Sequence, residues 1–374
     1  MKYYIIAGEA SGDLHASNLM KALKERDPQA DFRCWGGDLM EAAGGDIVKH
    51  YKDLAFMGFW EVFTHLNTIL RNFKICQADM LLYEPDAVIL VDYPGFNLRM
   101  AKFAKEQGFK VIYYISPQIW AWKKGRIKKI GKYVDEMMVI LPFEKDFYAK
   151  NGMDVHYVGH PLLDAVSKNL HDNPEVLDFR KQHNLDDREI IALLPGSRKQ
   201  EIKAILPQML KMVPLFPQYQ FLVSVVEWQP QSLYEKYLRK ADVQMVGGSA
   251  YPLLANAKAA VVASGTATLE AAMIGTPQVV CYAGSELSYL IAKQLVTGIH
   301  FISLPNLIMD KQVVTELIQH DFNTFHLRRE LGKITEDEQY IANLKEDYRQ
   351  LYAMLGDGSA SAKAADVVME ATMK

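Results

Sequence analysis

The sequence predicts an α/β protein made of two doubly wound domains in tandem, each a parallel sheet with helices on both faces. Short apolar, β-branched runs alternate with helical stretches along most of the chain, which is typical of parallel sheets. The chain has 374 residues, more than one core of the usual size holds. A polar stretch at Asn169–Pro174 interrupts the alternation. We therefore expect a first domain over residues 1–168 and a second over residues 169–345.

The candidate strands form one series on each side of that polar stretch. The first series is Tyr3–Ala7, Phe32–Trp35, Ala87–Val91, Lys110–Tyr114, Glu136–Ile140 and Val155–Val158. The second series is Ile190–Leu194, Gln220–Val225, Val243–Val246, Ala259–Ala263 and Gln278–Cys281. Beyond about Lys311 we expect no further strand, because only helical periodicity remains. The helices predicted there are Phe322–Ile334, Glu336–Leu355 and Ser359–Met373. We expect the tail, residues 346–374, to pack back on the first domain.

The composition excludes several classes of protein. Hydrophobic residues make up 49% and charged residues 23%, as in soluble globular proteins. The net charge of −3 gives no global basic field that would attract nucleic acid. Three cysteines do not make a disulfide framework and fit the reducing cytoplasm, and no uncharged stretch reaches the roughly 20 apolar residues of a spanning helix. The motifs H-E-x-x-H, C-x-x-C and D-x-D are absent, so we expect neither a metal nor another cofactor.

Two loops of the first domain carry candidate site residues. Gly8–Asp13 follows the first strand directly and opens a helix near Leu14, and its Ser11 and Asp13 can cap that helix or hydrogen-bond a hydroxylated ligand. Asp92 comes immediately after a buried apolar run and precedes a Pro-Gly turn. This position projects its carboxylate over the carboxyl edge of the sheet, where we expect a general base to stand. The alternative is that Asp92 only caps the following helix.

Two turns of the second domain favour a nucleotide diphosphate. The turn Gly196-Ser197-Arg198 follows a predicted strand, and backbone N–H groups at a helix start, together with a guanidinium, suit phosphate oxygens. The turn Ser264-Gly265-Thr266 has the same setting, and Glu270, one helical turn later, can accept both hydroxyls of a ribose. The chain lacks the G-x-G-x-x-G and G-x-x-x-x-G-K-[ST] fingerprints, which weighs against a standard dinucleotide or P-loop site.

Two segments of the first domain are unusual for a soluble enzyme. The stretch Leu54–Phe63 is too densely apolar for a single helical stripe to bury, and Ile119–Trp122 precedes a cluster of basic residues. Aromatic residues beside cationic ones suit an anionic bilayer or a phosphorylated lipid, whereas the alternatives are a buried core helix and a solvated basic face. The candidate acceptor and lipid contacts are Met57, Phe59, Trp60, Phe63, Trp120, Trp122, Lys123, Lys124, Arg126, Lys128 and Lys129.

Taken in order along the chain, eight motifs resemble those of bacterial lipid-A-disaccharide synthases. They are Gly8–Asp13, Asp92–Asn97, Ser116–Trp122, Leu141–Glu144, Val158–Pro161, Leu194–Arg198, Ala263–Thr266 and Leu304–Leu307. The resemblance covers nearly the whole chain, and the tail after about Tyr340 matches least well. Some relatives exchange C-terminal elements between subunits, so the sequence leaves open whether the chain forms a homodimer.

The resemblance implies an inverting glycosyltransferase of glycosyltransferase family 19, with the GT-B fold, in which two Rossmann-like domains face an inter-domain cleft. It would join UDP-2,3-diacylglucosamine to 2,3-diacylglucosamine 1-phosphate (lipid X) on the cytoplasmic face of the inner membrane, as a peripheral enzyme of lipid A biosynthesis. Asp92 would be the general base, Arg198 and the Ser264-Gly265-Thr266 turn would hold the UDP diphosphate, and Glu270 would bind the ribose. Ser11, Gly12 and Asn306 would be further donor contacts. A UDP-sugar 2-epimerase and a non-catalytic nucleotide-sugar-binding protein are the alternatives.

Overall fold

The computed structural model describes residues 1–53, 66–117, 119–120, 124–170, 173–239, 241–284 and 300–373, and these form two compact units. The first unit comprises Met1–Pro161 and Leu355–Lys374, and the second comprises Leu162–Met354. Within the described ranges, each unit is built on one parallel sheet. In these same ranges, no helix is both long and apolar enough to cross a membrane.

The two sheets contain seven and six strands among the described residues. The strands of the first sheet are β1 (Lys2–Ala7), β2 (Asp31–Gly36), β3 (Asp46–His50), β4 (Ala87–Val91), β5 (Lys110–Tyr114), β6 (Glu136–Val139) and β7 (His156–Tyr157). Those of the second sheet are β8 (Ile190–Leu194), β9 (Gln220–Ser224), β10 (Val243–Val246), β11 (Ala257–Ala263), β12 (Gln278–Tyr282) and β13 (Thr315–Ile318). Their orders are β3-β2-β1-β4-β5-β6-β7 and β10-β9-β8-β11-β12-β13.

Helices connect the strands and cover the sheets. Those of the first unit are α1 (Ala10–Arg26), α2 (Asp38–Ala42), α3 (Leu66–Tyr83), α4 (Pro94–Glu106), α5 (Ile127–Tyr133) and α6 (Pro142–Ala149). The second unit adds α7 (Leu162–Leu170), α8 (Pro174–Leu177), α9 (Phe179–Gln182), α10 (Lys199–Met209), α11 (Gln231–Leu238), α12 (Ala250–Asn256), α13 (Thr266–Ile274), α14 (Leu304–Met309), α15 (Thr324–Glu336) and α16 (Glu338–Leu355). The chain ends with α17 (Ala360–Met373), which belongs to the first unit.

Both faces of the central strands are buried. Every residue of β4 and of β8 is buried, as expected for parallel strands with helices on each side. In the first unit, Tyr3 and Ile5 share one core with Leu19 of α1 and Val368 of α17. The last helix is therefore part of the first core. The alternate β1 side chains, among them Tyr4, pack into the core on the other side of the sheet.

The unit boundaries differ from the predicted ones. The first crossing lies at residues 161/162 rather than 168/169, because α7 packs on α12 and α13 of the second unit. The second crossing lies at residues 354/355 rather than 345/346, because α16 continues without a break to Leu355. The polar composition of residues 169–174 indicated roughly where the chain passes from one unit to the other. The packing of α7 decides that this helix belongs to the second unit.

The prediction that strands stop after about Lys311 is wrong. The edge strand β13 pairs with β12 in parallel register, and β3 is a second edge strand that the apolar pattern did not indicate. Both consist largely of half-buried residues, several of them polar or charged. Edge strands are often polar in this way, so they lack the continuous apolar run that identifies a central strand.

Candidate active site

The strand order brings together loops that are far apart in sequence. In the first sheet the order reverses between β1 and β4, whose residues Ala7 and Val91 are paired. In the second sheet it reverses between β8 and β11, where Leu194 pairs with Val262. Ligands of open α/β sheets bind at the carboxyl ends of the strands at such switch points. The four loops selected from the sequence are the ones that follow these four strands.

The loops after β1 and β4 lie against each other. A Cβ atom on Gly8 would lie 2.3 Å from Cδ1 of the Tyr93 ring, so only glycine fits there. Helix α1 begins at Ala10 rather than near Leu14, with Glu9 at its N-cap, an exposed Ser11 and a buried Gly12.

Asp13 does not cap its own helix. Its carboxylate accepts hydrogen bonds from the backbone N–H groups of Gly37 at 2.8 Å, Leu39 at 3.1 Å and Met40 at 3.2 Å. It therefore caps α2, because a carboxylate satisfies the free N–H groups at a helix start. Asp13 holds the β1 loop to the next βα unit.

Asp92 lies at the carboxyl end of β4 and is partly buried. The pKa of Asp92 is raised from 3.8 to about 6, chiefly by burial and secondly by the Glu9 carboxylate, while a hydrogen bond from the Tyr93 backbone N–H acts in the opposite direction. Tyr93 occupies the N-cap of α4, and among the described residues no side chain caps that helix. Asp92 therefore does not hold the N-cap position of α4, and its role as a general base remains a prediction.

Glu201 occupies two of the three backbone amides of the Gly196-Ser197-Arg198 turn. Its Oε2 accepts from the N–H of Ser197 at 3.1 Å and from that of Arg198 at 3.2 Å. A Cβ atom on Gly196 would lie 2.6 Å from this oxygen, so glycine allows the approach. The Arg198 side chain is 74% exposed, with Nη1 3.6 Å from Glu201 Oε1. The guanidinium is thus the exposed polar group of this turn, and its contact with a diphosphate remains a prediction.

The carbonyl of Ser197 is held from another loop. Trp228 Nε1 and Gln229 Nε2 each donate to it at 3.2 Å. The indole of Trp228 remains exposed. Together with Glu201, these side chains fix the backbone from which Arg198 projects. Nothing in the sequence indicated this contact, since the loop after β9 has no recognised motif.

The start of α13 is uncapped in the described part of the chain. Gly265 occupies its N-cap position with no side-chain hydrogen bond. Ser264 Oγ donates to the carbonyl of Ile302 at 3.3 Å, and Thr268 Oγ1 donates to that of Gly265 at 2.7 Å. The N–H of Thr268 donates to the carbonyl of Gly265 at 3.1 Å, whereas those of Thr266 and Ala267 have no hydrogen-bond partner among the described residues. These two groups are therefore available to an anion, in contrast with those that Glu201 occupies.

Glu270 has a hydrogen-bond partner that the sequence did not indicate. Tyr251 Oη, on α12, donates to Glu270 Oε1 at 3.2 Å. Burial raises the pKa of Glu270, and donation from Tyr251 lowers it. This bond favours the ionised carboxylate, which is the form that accepts ribose hydroxyl protons.

Asn306 is fully buried and uses both ends of its amide within the protein. Its Nδ2 donates to the carbonyl of Val314 and to Glu316, each at 2.9 Å, and its Oδ1 accepts from two backbone N–H groups of residues 313 and 314. Asn306 thus ties α14 to the edge strand β13. Its expected contact with the nucleotide remains a prediction.

The candidate lipid contacts are only partly described. Met57, Phe59, Trp60, Phe63, Trp122 and Lys123, and the side chain of Lys124, lie outside the described residues. Trp120 is partly buried and packs edge-on against Phe143, with ring centroids 4.9 Å apart. Lys128 and Lys129 are exposed on α5, whereas Ile130 is buried on its other side. A bilayer-facing and a purely solvated basic face both fit this arrangement, in which Arg126 is partly buried.

Comparison with known proteins gives the family. The family model described as lipid-A-disaccharide synthetase matches residues 3–370. The chain belongs to the lipid-A-disaccharide synthase family. The Syntrophus aciditrophicus lipid-A-disaccharide synthase is 41% identical over 368 residues, covering 96% of this chain and 95% of that protein. The Coxiella burnetii (strain Dugway 5J108-111) enzyme of the same name is 37% identical over 369 residues, covering 97% and 96%. The predictions of this family and of a glycosyltransferase of lipid A biosynthesis are confirmed.

Solved structures establish the fold class. A UDP-GlcNAc 2-epimerase from Neisseria meningitidis bound to UDP-GlcNAc has a TM-score of 0.63 at 12% identity and covers 100% of both chains. A glycosyltransferase of kitacinnamycin has a TM-score of 0.67 at 11% identity and covers 99% of both. At such identities the likeness concerns the fold alone. The predicted GT-B class, with two Rossmann-like domains, is confirmed for this family member.

Proposed function

We propose that the chain transfers the 2,3-diacylglucosaminyl group of UDP-2,3-diacylglucosamine to the 6-hydroxyl of 2,3-diacylglucosamine 1-phosphate. The bond from the acceptor oxygen to C1 of the donor forms, the bond from C1 to the UDP oxygen breaks with inversion, and UDP leaves. Family membership supports this reaction. The observation that carries the residue roles is the placement of all four candidate loops at the two switch points.

Asp92 takes the proton of the acceptor hydroxyl. A base is most effective when its pKa lies near the working pH. The carboxylate of Asp92, with its pKa raised to about 6, is a stronger base than an ordinary carboxylate and is still largely ionised at neutral pH. Burial is the main cause of the raised pKa of Asp92.

The leaving diphosphate is stabilised by fixed positive charge and dipoles. Arg198 contributes its guanidinium, and the first turn of α13 contributes N–H groups that no described side chain occupies. Glu270, oriented by Tyr251, accepts the ribose hydroxyls. Within the described ranges no group of three or more His, Cys, Asp and Glu side chains could hold a metal, and the roles of Arg198, α13 and Glu270 require none.

The acceptor and the acyl chains are bound by the first unit at the surface of the inner membrane. Exposed Lys128 and Lys129 suit an anionic phosphate or lipid headgroup. Leu70 and Leu82 are exposed large apolar residues near the two ends of α3, the helix that follows the Leu54–Phe63 stretch, and apolar surface of this kind favours contact with lipid. These features support peripheral attachment at the cytoplasmic face.

Release of UDP in the presence and absence of acceptor tests the reaction. Purified protein in detergent is given UDP-2,3-diacylglucosamine with or without lipid X, and the product is identified by mass spectrometry. We expect UDP release that depends on lipid X, with formation of the disaccharide 1-phosphate. Release without acceptor would indicate hydrolysis or epimerase-like chemistry, and binding of UDP without turnover would indicate a binding protein.

The pH dependence of turnover tests the environment of Asp92. Since the ionised form is the base, we expect kcat/KM to rise with pH through about 6 and then level off. In Glu9→Gln the loss of a neighbouring negative charge stabilises the ionised form, so the midpoint should fall by about half a pH unit. Glu25→Gln, at the exposed far end of the same helix, is the matched control. Equal profiles for the two variants would contradict the assignment of Glu9.

A further inference from the structure

Two side chains converge on the backbone carbonyl of Asp92. Tyr113 Oη donates to this oxygen at 2.6 Å, and Asn97 Nδ2 donates to it at 2.8 Å. A carbonyl oxygen has two lone pairs, so the pair of donors saturates it. The peptide plane that follows Asp92 is therefore fixed from two directions.

The backbone held in this way is strained. Asp92 has φ +44° and Tyr93 has φ +47°, so two consecutive residues with side chains lie in the left-handed region. This region is disfavoured for L-residues, and such strain persists only where the surroundings impose it. The left-handed backbone turns the chain sharply at the end of β4. Extended backbone at the same residues would point the side chains of Asp92 and Tyr93 in other directions.

Asn97 also links the two strands of the switch point. Its side chain is fully buried, and Nδ2 lies 3.2 Å from the carbonyl oxygen of Val91 and 3.3 Å from that of Ile6. These carbonyls belong to the ends of β4 and β1. Tyr113, on the neighbouring strand β5, is equally buried and has its pKa raised well above 10, so its hydroxyl stays protonated and remains a donor.

We propose that Asn97 and Tyr113 are positioning residues, which hold Asp92 in its strained conformation and so aim its carboxylate at the acceptor hydroxyl. The inference rests on the proposed role of Asp92 as the base. Neither side chain is assigned a contact with substrate. Displacement of a base by a fraction of an ångström slows proton transfer strongly while leaving the binding of a distant nucleotide unchanged.

Tyr113→Phe tests the inference by removing one hydroxyl and no carbon. The matched control is Tyr148→Phe, because Tyr148 is a buried tyrosine of the same unit whose hydroxyl is 2.8 Å from Ser116 Oγ and does not contact Asp92. We expect Tyr113→Phe to lower kcat about tenfold, with the donor KM and the UDP Kd unchanged. Tyr148→Phe should keep kcat within about twofold of wild type. Equal kcat values for the two variants would overturn the proposal.

Asn97→Ala and Asp92→Asn complete the experiment. Asn97→Ala should lower kcat more than Tyr113→Phe does, because it removes the donor shared by three carbonyls, and an unchanged UDP Kd would show that the second unit is intact. If Asn97→Ala does not fold, Tyr113→Phe alone decides. In the Asp92→Asn background, Tyr113→Phe should cause no further loss. If Asp92→Asn keeps full turnover, the assigned base is wrong; if it is inactive while Tyr113→Phe equals Tyr148→Phe, only the positioning role fails.

Discussion

Asp92→Asn is expected to lose about a thousandfold in kcat, the usual range for a general base being about 10² to 10⁴. Asparagine has nearly the shape of aspartate and tolerates the left-handed backbone at φ +44°, so the site keeps its geometry and loses only the proton acceptor. UDP affinity should be unchanged. The measurement is disaccharide formation at saturating donor and lipid X, with UDP binding by calorimetry as the control. Unchanged turnover would remove Asp92 from the mechanism.

The same variant should be more stable than the wild type at high pH. The pKa of Asp92 is raised from 3.8 to about 6 on folding, so the protonated form is favoured in the native state. The resulting cost is fully present above about pH 6 and disappears as the pH falls below the unfolded value. At pH 8 we expect Asp92→Asn to gain on the order of 2 kcal/mol in the free energy of unfolding. Urea denaturation at pH 8 and pH 4 measures this, and a gain of equal size at both would contradict burial of the charge as its source.

Arg198→Ala is expected to have the second largest effect. The guanidinium is the cation that the turn after β8 presents, because Glu201 already occupies the amides of that turn. In the proposed mechanism its loss removes a cation that stabilises the charge on the departing diphosphate, and the loss of such a group costs about 10²- to 10³-fold in turnover. We expect kcat/KM to fall by that factor and the UDP Kd to rise, with Arg198→Lys intermediate because lysine keeps the charge without the planar fork.

Arg188→Ala is the matched control for this prediction. Arg188 is also an arginine of the second unit and its side chain is 39% exposed, but it precedes β8, at the opposite end of the strand, and pairs with Asp186 at 2.8 Å. We expect kcat/KM and UDP affinity of Arg188→Ala to match those of the wild type. If both alanine variants weaken UDP binding equally, the effect is one of overall charge or folding, and the local role of Arg198 fails.

The central strands of each sheet were predictable because a buried parallel strand is a continuous run of apolar residues, which the sequence shows directly. Buried parallel strands such as Ala87–Val91 consist entirely of apolar residues, and the polar or small residues immediately after them stand out for the same reason. Asp92, and the turns that contain or precede Arg198 and Glu270, were selected as candidates in this way. The edge strands β3 and β13 were not, because half of their surroundings is solvent or a helix end rather than core.

The supporting residues of the site could not be predicted, because each contacts a residue that lies on a different secondary-structure element. In the sequence Tyr113 is one more apolar position of β5, yet its hydroxyl reaches the Asp92 carbonyl on the next strand. Tyr251 reaches Glu270 from α12, nineteen residues earlier in sequence. Asp13 shows the opposite case, since its sequence position favours a cap of its own helix whereas it caps α2. In each case the separation of the two residues along the sequence does not indicate that they lie close together in the fold.

The sequence by itself determined the two Rossmann-like sheets, the family, and the chemical character of the loops, because apolar periodicity, turn residues and ordered motifs are properties of the chain read in one dimension. Tertiary structure alone decided which loops meet. The reversal of strand order between β1 and β4, and between β8 and β11, places the Gly8 loop against Tyr93 and pairs the end of β8 with β11. It also decided that Glu201 holds the N–H groups of Ser197 and Arg198, while those of Thr266 and Ala267 at the start of α13 have no partner among the described residues. Strand order depends on how the helices cover both faces of each sheet, which is a property of the packed chain as a whole.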